Sequence, residues 1–217
     1  MAQRRHHYEL AFEHYLRDRR IPYVAVDEAR KALLPDDPAF RMAPPDRNGA
    51  AASLKSFDFV LYGRDANLLI EIKGRKIARR VRAVRRARHG PPSAGRLESW
   101  VTEEDVDSLL TWERLFGDGF RAAFVFVYWC DELPAAALFE EVFEFRGRWY
   151  AIRAVPLSRY AASMKPRSRR WRTVHVSSAD FDRISTCLCG RAGSPGGGAL
   201  QHDADPVASA SVLEVAP

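Results

Sequence analysis

Residues 56–76 of the chain read SFDFVLYGRDANLLIEIKGRK, and this stretch decides the fold. Residues 57–62 and 68–73 form two apolar runs of strand length, and residues 63–67 between them are turn formers. Two such runs on either side of a short polar turn are typical of paired antiparallel strands. The sequence therefore predicts a β-hairpin over residues 57–73.

The second run carries an acid and a base among its apolar residues. Alternate side chains of a strand share a face, so Glu71 and Lys73 project to the same side as Leu69. Asp58, near the start of the first strand, can lie opposite the end of its antiparallel neighbour. Two carboxylates meeting there could bind a hard cation such as Mg²⁺, which takes oxygen ligands and keeps several waters. Lys73 would orient a water or stabilise negative charge that develops on a phosphate.

A simpler interpretation is that residues 71–73 alternate on the exposed side of an ordinary antiparallel sheet. Acidic strand residues usually face water, and a motif this short occurs often by chance. In that case Leu69 would also face solvent, beside the charges of Glu71 and Lys73. The burial of Leu69 therefore decides between the two interpretations.

The order of elements around the hairpin favours a site. Residues 7–19 have apolar side chains at helical spacing, and residues 21–26 form a short apolar run that predicts a strand. Thr102 and the acidic residues after it predict a capping box that opens a helix ending near Phe116. Residues 122–129 are strongly apolar and predict a buried strand. The expected order is thus helix, strand, hairpin, helix, strand.

This order and the hairpin residues resemble the PD-(D/E)XK nuclease superfamily, with Phe57-Asp58 followed by Glu71-Ile72-Lys73. Phe57 stands where the superfamily usually has a proline, which does no chemistry. The resemblance implies an α/β fold with a restriction-endonuclease-like core, in which helices flank a central mixed β-sheet. It also implies Mg²⁺ or Mn²⁺ as cofactor, Asp58, Glu71 and Ile72 as the metal-binding set, and Lys73 as a catalytic residue.

Over residues 6–130 the layout is similar to that of archaeal-type Holliday-junction resolvases. In those enzymes a glutamate on the first helix joins the metal site. Glu9 fits that spacing best, and Glu13, one turn further on, could share or replace its role. Residues 7–13 also reproduce the pattern His-Tyr-Glu-x-Ala-Phe-Glu of the bacterial HYExAFE family, which carries no known activity and leaves the substrate open.

Basic residues are concentrated directly after the hairpin. A solvated basic helix would account for such a run, but its closeness to Lys73 favours contact with nucleic-acid phosphates. Lys55, just before Asp58, could also reach phosphate or lie at a solvated strand end. A second basic group, residues 165–172, includes a tryptophan and could form another contact surface or an exposed loop. The predicted nucleic-acid-binding residues are Lys55, Arg75, Lys76, Arg79, Arg80, Arg82, Arg85 and Arg86.

The C-terminal part predicts additional strands whose pairing the sequence does not determine. Residues 138–152 read as two strands around a turn at residues 146–148, residues 157–164 as a short helix, and residues 171–176 as a strand. We expect one nuclease-like domain over residues 1–186, with a basic loop or helix at residues 74–100. Residues 187–217, rich in Gly and small polar residues, predict a disordered tail.

Composition agrees with a single globular domain. The chain has 217 residues, 47% of them hydrophobic, and a formal net charge of +6, which suits a polyanionic partner. The sequence contains no run of about 18 apolar residues, so it predicts no membrane span. An odd cysteine count of three and the lack of an apolar leader favour the cytoplasm and argue against a disulfide framework.

Together these features predict a Mg²⁺-dependent endonuclease that hydrolyses DNA phosphodiester bonds with an activated water. A further possibility, a homodimeric structure-specific binder, follows from the resemblance to resolvases, since symmetric cutting of a junction needs two sites. The alternative is a catalytically silent DNA-binding scaffold that keeps the fold and the basic surface. The sequence does not distinguish DNA from RNA as the substrate, because phosphate contacts carry no information about the bases.

Overall fold

The computed structural model describes residues 3–26, 54–77, 97–131 and 141–188. Its helices in these residues are α1 (Gln3–Asp18), α2 (Glu103–Phe116), α3 (Leu157–Ser163) and α4 (Ser178–Ile184). Its strands there are β1 (Tyr23–Ala25), β2 (Phe59–Leu61), β3 (Asn67–Ile77), β4 (Val101–Thr102), β5 (Phe120–Cys130), β6 (Glu141–Phe145), β7 (Arg148–Pro156), β8 (Lys165–Ser168) and β9 (Thr173–His175). None of the described helices is both long enough and apolar enough to cross a membrane.

The main sheet has six strands in the order β1-β2-β3-β5-β7-β6. β3 and β5 run parallel and pair along their whole lengths, from Asn67 opposite Phe120 to Ile77 opposite Cys130. The other neighbours in this sheet are antiparallel. The central mixed sheet flanked by helices confirms the predicted α/β fold class, and the order α1, β1, β2–β3 hairpin, α2, β5 is the one expected from the sequence.

The predicted hairpin forms between β2 and β3. Val60 pairs with Leu69, and Phe59 with Ile70. Asp58 lies just outside β2, where its backbone N–H donates to the Ile70 carbonyl at 2.8 Å. The backbone pairing therefore continues to Asp58, and the following register position places Asp58 opposite Glu71.

β3 continues four residues beyond the predicted strand, and this corrects the expectation of a basic loop or helix starting at residue 74. Residues 74–77 stay in the sheet because their backbones pair with the end of β5. Gly74 is required here for space. A Cβ at this position would lie 2.1 Å from Cδ2 of Tyr8 on α1. Residues 78–96, which hold the rest of the predicted basic segment, lie outside the described residues.

The two faces of the main sheet bury different helices. One face packs on α1, and we call it the α1 face; the other packs on α2, α3 and α4, and we call it the α2 face. The α1 face is an apolar core that contains Phe12, Leu16, Phe59, Ile70, Ile72, Val125 and Val127. The α2 face has a second apolar core, with Val60, Leu69, Leu109, Phe124, Phe126, Tyr160 and Phe181. Leu69 is fully buried, which excludes the exposed-alternation interpretation of residues 71–73.

Capping fixes where α2 begins and ends. Thr102 Oγ1 accepts from the Asp105 N–H at 3.1 Å, and the Asp105 carboxylate accepts from the Thr102 N–H at 2.9 Å. This reciprocal pair is the predicted capping box. Gly117 ends the helix with φ at 74°, a conformation that side chains disfavour. Asp105, in the first turn of α2, also lies 2.9 Å from the Lys73 ammonium on β3.

The C-terminal elements confirm the additional strands and show their pairing. β6 and β7 form a hairpin at the edge of the main sheet, and β8 and β9 join β4 in a separate three-stranded sheet. The described chain continues past the predicted boundary at residue 186. Leu188 is fully buried, and its N–H donates to Glu141 Oε2 at 2.9 Å. Residues 189–217, the rest of the predicted tail, lie outside the described part.

Candidate active site

Asp58 and Glu71 lie on the α2 face of the β2–β3 hairpin. Asp58 Oδ2 accepts a hydrogen bond of 2.6 Å from the backbone N–H of Ile72. This bond fixes the Asp58 carboxylate against β3, next to Glu71. The side chain of Ile72 is buried in the core of the α1 face, so any contribution of Ile72 to a metal site would come from its backbone.

The two carboxylates share a poorly solvated environment. Burial raises the pKa of Asp58 well above its usual range, and the Glu71 charge raises it further. Burial also raises the pKa of Glu71, although the Lys73 charge opposes that shift. Two acids whose charged forms are disfavoured in this way gain stability when a proton or a cation neutralises them. This is the electrostatic character of a cation-binding pair.

Lys73 links the acidic pair to α2. Its Nζ lies 2.8 Å from Glu71 Oε1 and 2.9 Å from Asp105 Oδ2, and only 13% of its side chain is exposed. An ammonium group held between two carboxylates has a defined position. Lys73 therefore stands beside the acidic pair, as the sequence predicted.

Asp105 is the site residue that sequence reasoning missed, because it was assigned to the capping box alone. Its carboxylate also binds Lys73 and Lys55, the latter at 2.9 Å, and its side chain is 6% exposed. Burial acts to raise the pKa of Asp105, but Lys73 and the hydrogen bond from Lys55 hold it well below the usual range. The one available signal was the acidic first turn of the helix after the hairpin.

The structure distinguishes the two candidate glutamates on α1. Glu9 lies near enough to Asp58 for its charge to contribute to the raised pKa of Asp58. Glu13 is engaged elsewhere, since its Oε1 accepts from Arg17 Nη2 at 2.6 Å and from the Tyr23 hydroxyl at 2.8 Å. Of the two, Glu9 is the one whose charge acts on Asp58, whereas Glu13 is paired with Arg17 and Tyr23.

The predicted nucleic-acid-binding residues divide into four groups. Lys55 is paired with Glu104 and Asp105 on α2. Arg75 is a correction: its side chain is 13% exposed, stacks on the Trp100 ring at 4.1 Å and donates to the Trp100 carbonyl, so it braces the chain before β4. Lys76 keeps 47% of its side chain exposed. The remaining predicted residues, Arg79, Arg80, Arg82, Arg85 and Arg86, lie outside the described part.

A divalent cation fits this donor set if most of its ligands are waters. In the described ranges, no three His, Cys, Asp or Glu side chains are grouped so that they could hold a metal ion by themselves. Asp58 and Glu71 supply two carboxylates whose mutual repulsion a cation would relieve. Mg²⁺ is commonly bound in this way, through one or two carboxylates and several waters.

No protein-family model matches the chain, and no curated protein matches it. Among solved structures the chain is similar to Hjc, a Holliday junction resolvase from the archaeal hyperthermophile Archaeoglobus fulgidus. The two are 13% identical with a TM-score of 0.41, over 82% of this chain and 86% of the resolvase chain. The resemblance of residues 7–13 to the HYExAFE pattern rests on those residues alone.

Proposed function

We propose that the protein is a Mg²⁺- or Mn²⁺-dependent endonuclease that hydrolyses DNA phosphodiester bonds. The observation that carries the proposal is the pair Asp58 and Glu71, two poorly solvated carboxylates on one face, with the Lys73 ammonium beside them. Such a pair destabilises a metal-free fold, so its presence is better explained by chemistry than by stability.

Each side chain has a definite part in this chemistry. Asp58 and Glu71 would hold the cation, with Glu9 adding negative charge nearby. The bound cation would supply Lewis acidity toward a phosphate oxygen or a water. Lys73 places a positive charge at the acidic pair, where it can orient the attacking water or stabilise negative charge on the phosphorus oxygens. Glu71 and Asp105 hold that ammonium group in position.

The finer parts of the proposal come from the resemblance of element order to resolvases. The proposed substrate is branched DNA. The proposed assembly is a homodimer, because two cuts across a junction need two sites. We also propose a cytoplasmic location, which the three cysteines favour because an odd count argues against a disulfide framework.

Cleavage assays test the enzyme directly. Supercoiled plasmid and a synthetic four-way junction are incubated with the protein in Mg²⁺, Mn²⁺ or EDTA, together with Asp58→Asn and Lys73→Met. Asp65→Asn, at the exposed turn of the same hairpin, and Arg121→Ala, at the exposed start of β5, are the matched controls. Circular dichroism checks that every variant is folded.

We expect metal-dependent cleavage that Asp58→Asn and Lys73→Met each reduce by at least about 100-fold, while the two controls retain it. Preference for the junction over linear duplex would support the structure-specific form. Salt-sensitive binding without cleavage by the native protein would instead identify a catalytically silent DNA-binding scaffold. Cleavage that survives in EDTA or in Asp58→Asn would contradict the proposed site.

A further inference from the structure

The hairpin of β8 and β9 carries a dense group of exposed cations around an exposed tryptophan. We call residues 165–175 the basic hairpin. Residues 165–172 read KPRSRRWR, with five basic residues and no acid. All five basic side chains are exposed. Trp171 is 69% exposed, the most exposed of the large apolar side chains in the described residues. Exposing so large an aromatic ring costs free energy that burial elsewhere would have recovered.

The turn that displays Trp171 has a defined conformation. The Trp171 N–H donates to Ser168 Oγ at 3.3 Å, and the Arg170 guanidinium lies 5.3 Å from the Trp171 ring centre. Arg172 adopts a positive φ of 44°, which non-glycine residues rarely do. Its carbonyl accepts from the Glu103 N–H at 2.9 Å, and its guanidinium pairs with the Glu103 carboxylate at 3.1 Å. The tip is therefore anchored to α2 with its ring directed away from the core.

The basic hairpin is joined to the candidate active site through short contacts. β9 pairs with β4, which leads directly into the first turn of α2, where Asp105 binds Lys73. On the other side, Arg167 lies 5.1 Å from the Trp100 ring, the same ring on which Arg75 stacks. Arg75 follows Lys73 by two residues on the same face of β3. Arg75 is largely buried and Glu98 lies 4.0 Å from both guanidinium groups, so Arg167, with 44% of its side chain exposed, is the cation of this link that a polyanion can reach.

We propose that the basic hairpin binds nucleic-acid backbone and that Trp171 stacks on an unpaired base of single-stranded or branched DNA. Its arginines match phosphate geometry, since a guanidinium can donate two parallel hydrogen bonds. An unstacked base offers a flat apolar face to an aromatic side chain, and such stacking is the usual way in which proteins bind single strands. An anionic membrane would be expected to need several apolar side chains at the tip, whereas this tip presents Trp171 alone. The choice of DNA as ligand rests on the proposed function.

Binding measured without cleavage separates this inference from the enzyme proposal. Fluorescence anisotropy in EDTA follows the full-length protein on labelled oligo-dT, a duplex of equal length and the same duplex with an unpaired bulge. The variants are Trp171→Ala, Trp171→Phe and Arg170→Ala. Tyr62→Ala, which removes an exposed aromatic at the end of β2, and Arg64→Ala, in the β2–β3 turn, are the matched controls.

We expect Trp171→Ala to weaken binding of oligo-dT and the bulged duplex by about 10-fold or more, and of the intact duplex by less than about 2-fold. Trp171→Phe keeps a stacking ring and should recover most of the loss. Arg170→Ala should weaken all three ligands and lower the salt dependence of binding by about one phosphate contact. The two controls should bind as the native protein does.

The inference is overturned if Trp171→Ala binds oligo-dT as tightly as the native protein, or loses no more than Tyr62→Ala. It is also overturned if the hairpin variants lose binding to anionic phospholipid vesicles while binding of oligo-dT is unchanged. Because the assay needs no metal, a protein that fails to cleave DNA can still satisfy it. If the hairpin variants cleave DNA and bind it as the native protein does, the proposed role of the basic hairpin is rejected and the enzyme proposal is unaffected.

Discussion

The two faces of β3 differ in what they do for the protein. On the α1 face, Leu68, Ile70 and Ile72 are buried in an apolar core and Gly74 lies under Tyr8. On the α2 face, Leu69 is buried, but Glu71, Lys73 and Arg75 after it are charged. The first face stabilises the fold by apolar burial. The second keeps charges out of water at a cost in stability, and these charges are the ones that the proposed endonuclease would use.

The largest expected effect separates the two faces by activity. Glu71→Gln on the α2 face should lower the cleavage rate by at least about 100-fold without lowering stability, because it removes a charge that burial disfavours. Ile70→Val on the α1 face should cost about 1 kcal/mol of unfolding free energy and leave cleavage unchanged. Steady-state kinetics and urea denaturation measure both. Equal losses of activity in the two variants would contradict the division.

Gly74 tests how tightly the α1 face is packed. Gly74→Ala places a methyl group inside the space of the Tyr8 ring, so it should destabilise the protein by about 2 kcal/mol. Tyr8→Ala in the same chain should remove most of this penalty, and the double-mutant cycle gives the coupling energy. If Gly74→Ala has the same cost with and without Tyr8, the collision is not its cause.

The pH dependence of stability tests the cost of the α2 face. Because the pKa of Asp58 is raised in the folded state, its ionisation opposes folding; the penalty is absent below the unfolded pKa of about 4 and grows as the pH rises through the folded value. Asp58→Asn should therefore be more stable than the native protein at pH 7 in EDTA, with a melting temperature higher by about 2–4 °C per kcal/mol gained.

The difference between the native protein and Asp58→Asn should shrink as the pH is lowered toward 4. The amide oxygen of the substituted side chain can still accept the hydrogen bond from Ile72, so the comparison isolates the charge. Asp65→Asn, at the exposed turn, should show no such trend. A native protein that is more stable than Asp58→Asn at pH 7 would show that the charge is not a burden on the fold.

The smallest effect concerns the position of Lys73. Asp105→Asn removes one of the two carboxylates that hold the Lys73 ammonium and should lower the cleavage rate about 5- to 10-fold with a shifted pH–rate profile. Thr102→Ala removes the capping hydroxyl and should cost about 1 kcal/mol of stability while leaving that profile unchanged. If both variants shift the profile alike, the effect belongs to the helix end and not to the Asp105 charge.

Local sequence patterns were sufficient for the parts of the fold that depend on neighbours in the chain. Alternating apolar residues located the β2–β3 hairpin and the shared face of Glu71 and Lys73, and the capping box located the start of α2. These features follow from strand and helix periodicity and from side chains close in sequence. The candidate residues Asp58, Glu71 and Lys73 all lie in this predicted hairpin.

Long-range packing determined the parts that the sequence did not reveal. The length of β3 depends on its parallel pairing with β5, which is distant in the sequence. The local sequence of residues 74–77 therefore indicates a basic loop or helix and not a strand. Arg75, whose charge alone suggested a phosphate contact, lies in this extended part of β3, where it stacks on Trp100 and is largely buried. The bond between Asp105 and Lys73 joins two elements that are separate in the chain, and no local pattern encodes it.

The most direct test of the central claim is the melting temperature of the native protein and of Asp58→Asn at pH 7, in EDTA and in Mg²⁺ or Mn²⁺. A cation that binds the folded state alone stabilises it in proportion to the logarithm of its concentration above Kd. We predict that Asp58→Asn has a higher melting temperature than the native protein in EDTA. We also predict that metal raises the melting temperature of the native protein only. A native protein that is insensitive to both metals, or an equal rise in the two proteins, would contradict a cation site at Asp58 and Glu71.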